Sequence, residues 1–124
     1  MASVYINKKH IDHVVIENTT GADLKTNDFT VIAPYVGVVD ADAESGADVS
    51  LFVADKLELE ANEFVTGEDT FATLFQTVYF DPATLTFSDT STATYYPVGY
   101  LTQVKDSAGM IKFEKFRFTE VVGA

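Results

Sequence analysis

Residues 56–60 read Lys-Leu-Glu-Leu-Glu, with apolar and charged side chains in strict alternation. A period of two is that of a strand with one face buried and one in water; on a helix the same residues would scatter around the axis. Other stretches carry related signals, each bounded by turn residues. Residues 13–16 run into the turn Asn18-Thr19-Thr20-Gly21, and residues 29–33 stop at Pro34. Residues 35–39 give way to the polar loop 40–48, after which residues 49–53 resume. Residues 75–80 end at Asp81-Pro82, with Leu85-Thr86-Phe87 as hairpin partner, and residues 88–94 form a Ser/Thr-rich loop. Residues 96–104 and 110–118 make a C-terminal hairpin through Asp106-Ser107-Ala108-Gly109. Seven or more short strands with such spacing predict an all-β fold: a small single-domain barrel or sandwich of short antiparallel strands.

Three regions fit that pattern less simply. Residues 61–74 read either as a long loop or as one helical turn. Residues 1–10 hold the apolar patch Val4-Tyr5-Ile6 but have no evident place in a core; they are expected to be an extended arm preceding a β domain of residues 11–124. In the last strand Ile111 and Phe113 share a face, whereas Phe116 and Phe118 have the opposite parity. Either a bulge shifts the register or the end of the strand turns its other face to a partner subunit, which makes Phe116 and Phe118 candidates for a subunit interface.

Composition narrows the function. Ten Phe, six Tyr and no Trp, within 47% hydrophobic residues, suffice for one core and favour pleated surfaces. With no cysteine there is neither a disulfide nor a thiolate site. The net charge is −11, and between Ile11 and Val104 only Lys25 and Lys56 oppose sixteen acids. Such a body repels phosphate backbones, so no nucleic-acid partner is expected. The remaining cations, Lys8, Lys9, Lys105, Lys112, Lys115 and Arg117, sit towards the ends, where they could meet a negatively charged partner. Charges interrupt the first residues too early for a secretory leader, and no apolar run approaches the ~18 residues of a membrane span. A soluble product made in a cytoplasm, without a membrane partner, is expected.

No motif carries catalysis. His10 and His13 lie three apart in an extended stretch, which sends them to opposite faces rather than to one metal. Asp40-Ala-Asp42-Ala-Glu44 resembles the start of a calcium loop, but the glycine and bidentate glutamate positions hold Ser45 and Leu51. Nucleophile elbows and phosphate-binding glycine loops are missing, so neither an enzyme nor a cofactor is expected. Asn18-Thr19-Thr20 matches a glycosylation sequon incidentally.

The order of features is more telling than any single one. Asn18 to Ile32, with its turn, Leu24, Asp28 and apolar strand, is followed by Tyr35-Val36-Gly37-Val38-Val39-Asp40-Ala41 and Leu57-Glu58-Leu59. Thr77-Val78-Tyr79-Phe80-Asp81, Val98-Gly99-Tyr100-Leu101 and the closing strand 110–116 come later. This succession, over residues 11–118, resembles the decoration (cement) proteins of tailed-phage capsids. Asn27 stands where the family has Gly, and it too can adopt a left-handed turn; Phe80 replaces an aromatic Trp, and a Gly is lost near Ala54-Asp55. The resemblance implies a homotrimer on the outer surface of the virion that clamps the major capsid protein lattice. The arm, through Val4, Tyr5 and Ile6, would add as a strand to a capsid edge, three arms per trimer raising avidity. Two other readings stay open. A carbohydrate-binding module would use Tyr95, Tyr96, Tyr79 and Tyr100, and a tail-tube or head-completion subunit would form rings.

Overall fold

The computed structural model describes residues 12–65 and 70–119. Nine strands follow in order: β1 (His13–Glu17), β2 (Phe29–Ile32), β3 (Tyr35–Val39), β4 (Asp48–Phe52), β5 (Glu58–Ala61), β6 (Thr77–Asp81), β7 (Thr86–Ser88), β8 (Tyr96–Gln103) and β9 (Ile111–Lys115). They form two antiparallel sheets. The first has the order β1-β4-β3-β2 and the second β5-β9-β8-β6-β7. The architecture is therefore sandwich-like, not a closed barrel, and no helix occurs among the described residues.

Two cores result, because the first sheet buries side chains on both faces. Val31 and Val36 point towards the second sheet, where they meet Val78, Phe80, Phe87, Val98, Leu101, Ile111 and Phe113. The opposite parity of the same strands, Ile32 and Val39, joins Val49, Leu51, Val53, Leu24 and Ala43 in a smaller core. Phe29 stands at the centre of the aromatic group, edge-on to Phe80 at 4.9 Å and to Phe87 at 5.0 Å between ring centroids. Such pairs add ~0.5–1.5 kcal/mol each beyond the area they bury.

Turn chemistry sets the connections. Asn18 is buried; its Nδ2 donates to the carbonyls of Ala22 (2.9 Å), Glu44 (3.2 Å) and Ala43 (3.4 Å), while its Oδ1 accepts from Thr20. This sequon asparagine is thus an internal tie between two loops. Asp42, in the calcium-like loop, accepts from the main-chain N–H (2.8 Å) and hydroxyl (2.9 Å) of Thr26. Those bonds, with Lys25 nearby, hold its carboxyl below the usual range. Asn27 has φ 73°, the left-handed conformation expected of it. Asp106 closes the C-terminal hairpin by accepting from the N–H groups of Ala108 (2.9 Å) and Met110 (3.0 Å).

His13 opens β1, in keeping with the strand expected at residues 13–16, and pairs with Phe52. Its ring lies edge-on to Phe52 at 5.0 Å, and its Nε2 is 3.8 Å from Asp40. In its described part the stretch at 61–74 is mostly loop, one of its two readings, and contains no helix. Ala61 ends β5, Phe64 bridges to Phe87, and Phe71 is fully buried. The carboxylate of Asp89 holds the main-chain N–H groups of Thr70 (2.9 Å) and Phe71 (3.1 Å), which aims that ring inward. Finally, Lys115 is not a surface cation of the C-terminal region. It is 1% exposed.

Candidate interaction surfaces

Lys115 explains the geometry of the corner that carries Phe116 and Phe118. In β9, Ile111, Phe113 and Lys115 all face inward, so the strand keeps its parity to its end. The register shifts lie instead in β8, at Val98 and Thr102, the residues without a partner in its two ladders. Beyond Lys115 the chain leaves β9 and pairs with the first sheet. Val36 donates its N–H to Arg117 O (3.0 Å), and Thr119 donates to Pro34 O (2.7 Å). The Lys115 ammonium is buried beneath this seam, donating to Val36 O (2.8 Å) and Phe116 O (3.0 Å). Burial pulls its pKa down from 10.5 to about 8, against the attraction of Asp55 and with a smaller contribution from Arg117. Nothing in the pattern of the sequence distinguishes this lysine from Lys112, except that it shares the parity of Ile111 and Phe113.

The seam leaves both aromatic candidates on the outside. Phe116 is half-buried, with Tyr100 edge-on at 4.8 Å. Phe118 is 53% exposed, packed on Tyr35 at 5.5 Å and under the Arg117 guanidinium at 5.6 Å. Tyr100 is itself 50% exposed on the outer face of the second sheet. The turn before β6 adds Phe75, whose N–H donates to Leu101 O, and which is 74% exposed. Aromatic rings held this far out of the core are typical of contact surfaces. By contrast Tyr96 packs against the main core, which separates it from Tyr79 and Tyr100 as members of one sugar platform. Val4, Tyr5 and Ile6 fall outside the described residues, as does the proposed arm up to residue 10.

A second feature has no counterpart in the sequence reading. Between the free sides of β2 and β5 runs an open groove of about 1140 Å³. Phe29, Leu59, Phe80 and Phe87 line its floor, and Asp23, Asp28, Glu60 and Glu63 its rim; no Lys or Arg lines it. No group of three or more potential metal ligands occurs among the described residues.

Compared with family models, residues 8–114 match the model described as phage cement protein. The chain belongs to the phage cement protein family. It is a structural protein associated with the phage capsid. The matched region takes in all of β1 to β8 and most of β9, and stops just short of Lys115 and the seam. No curated protein and no solved structure matches the chain.

Proposed function

We propose that this cement protein decorates the outer surface of the phage head as a homotrimer, and that it stabilises the lattice of major capsid protein without catalysing a reaction. The family match over residues 8–114 carries the reading. The structure adds physical support: a rigid two-core body, an acidic surface that discourages clustering of free copies, and aromatic rings displayed where a neighbour could cover them. Phe116 and Phe118, with Tyr100 beside them, are the contacts assigned to the neighbouring subunit. Val4, Tyr5 and Ile6 are assigned to the capsid, adding main-chain bonds to a strand edge there. Three such arms on one trimer bind with an avidity ~10²–10⁴ above that of a single arm.

The test mixes the full chain with capsids that lack it. Co-sedimentation, added density on the outer shell and a raised temperature of capsid disruption are expected, with a trimer mass by analytical ultracentrifugation. Failure to sediment with the shells, or a monomer at all concentrations, refutes the reading.

A further inference from the structure

Leu85 is doubly out of place in an isolated subunit. The turn between β6 and β7 closes as the Leu85 N–H donates to Asp81 O (2.9 Å). The Asp81 carboxylate tightens it by accepting from the Ala83 N–H (2.9 Å) and the Thr84 hydroxyl (2.8 Å). That closure holds Leu85 at φ 58°, the left-handed region that turns ordinarily fill with Gly or Asn. Its side chain is also 57% exposed. It stands on the lip of the groove between β2 and β5, close to the partly buried Phe29 and Leu59. A large aliphatic side chain kept in water on a disfavoured backbone, at the edge of an apolar groove, is in keeping with a contact surface.

The trimer proposed above, on which this step rests, says what covers it. In a closed ring of three, neighbouring subunits meet through two different patches of the same chain. The corner that carries Phe118 therefore needs a receiving surface elsewhere on the molecule. At about 1140 Å³ the groove exceeds the ~300–1,000 Å³ of an ordinary ligand pocket, which is room for a protein corner. Charge agrees. On the rim, Lys112 offsets Glu60 at 3.8 Å, while Lys25 and Lys105 turn to Asp42 and to the Phe64 ring. Asp23, Asp28 and Glu63 keep the rim acidic. At the corner, the Arg117 guanidinium lies over Phe118, and the exposed Lys56 is tied by its N–H to Lys115 O (2.9 Å). Asp55 is the acid that acts on the Lys115 ammonium there. The Tyr100 end of the aromatic patch differs, because Glu114 pairs with Tyr100 and Glu58 with Glu114. An acidic groove thus selects the Phe118 end.

We infer that the groove between β2 and β5, with Leu85 on its lip, is the receiving half of the subunit contact and takes the Phe118–Arg117 corner of a second copy of this chain. The Phe118 ring displaces water from Phe29, Leu59 and Leu85, and Arg117 meets the acidic rim. Each contact around the ring uses the corner of one subunit and the groove of the next, so closure at three covers both surfaces on every copy.

The experiment exploits a chain without cysteine. The full-length double variant Leu85→Cys/Phe118→Cys, treated with a short bismaleimide, should give covalent dimers and trimers and nothing larger. Leu85→Cys or Phe118→Cys alone should give none. In parallel, Leu85→Gly suits the left-handed turn, so its monomer should keep the urea-unfolding midpoint of wild type. Its self-association by sedimentation should nevertheless fall about tenfold or more. Four outcomes overturn the inference. Dimers from Phe118→Cys alone mean that the corner meets its own counterpart. A double variant that does not crosslink, although wild type sediments as a trimer, means that the corner docks elsewhere. An intact Leu85→Gly trimer that no longer binds capsids means that a capsid segment fills the groove. A wild type that stays monomeric removes the trimer and the inference together, whereas the first three leave the trimer standing.

Discussion

Lys115 permits a quantitative test of how the two sheets are joined. Its ammonium is buried and titrates at about 8 instead of 10.5. A native pKa below that of the unfolded chain means that the folded state holds fewer protons between those two values. Stability therefore rises as pH increases from about 8 to 10.5, and the penalty for burying the charge is fully present below that window. At ~1.36 kcal/mol per pH unit the whole effect is about 3 kcal/mol. The hydrogen bonds survive the titration, because a neutral amine keeps two hydrogens for the two carbonyls of Val36 and Phe116. In Lys115→Met the ionisation is gone and the two carbonyls lose their donor, so its stability near neutrality reflects opposing contributions of ~1–3 kcal/mol. The difference between the two proteins is more informative, since tyrosines and other lysines titrate in both and cancel. Urea unfolding from pH 7 to 10.5 should show wild type gaining about 3 kcal/mol on the variant, with most of the change above pH 8. A pH-independent difference would refute a charged, desolvated Lys115 and the seam chemistry built on it.

Other expectations follow from packing. Phe71→Ala removes a fully buried ring from the main core and should lower unfolding free energy by ~3–5 kcal/mol in the same urea assay. Gly99→Ala would drive its new methyl into the carbonyl oxygen of Glu114 and the ring of Phe113 across the β8–β9 ladder. A loss of ~1–3 kcal/mol, read as a lower melting temperature, is expected. Asn18→Ala removes the amide that donates to the Ala22 and Glu44 carbonyls and should cost ~1–3 kcal/mol by urea unfolding. Phe118→Ser, at an exposed position, should change monomer stability by less than ~0.5 kcal/mol while weakening self-association in sedimentation experiments.

The strands were legible because each side chain's fate depends on a period that a short window displays. Residues 56–60 signalled the alternation before any neighbour was known, and Asn27 declared its turn by being one of the few residues that tolerate positive φ. What escaped detection depends on partners distant in sequence. Phe71 is central only because Asp89, eighteen residues away, holds its main chain. Lys115 is buried because Val36, seventy-nine residues away, offers a carbonyl. The parity puzzle of Phe116 and Phe118 also has a non-local answer: the chain changes sheets after Lys115. The groove depends on which strands end up at sheet edges, and strand order leaves no trace in local periodicity. Family membership was readable from the succession of features, whereas contact residues were approached only through the parity of two aromatics.

The seam fixes where the described chain begins and ends. Asp12 lies at the Val38 end of β3, while Thr119 is tied to Pro34 at the other. About four strand residues, ~13 Å, separate the two exits, which leave from opposite poles of the same strand. A peptide or enzyme grafted behind residue 119 would thus start from the pole of β3 remote from Asp12.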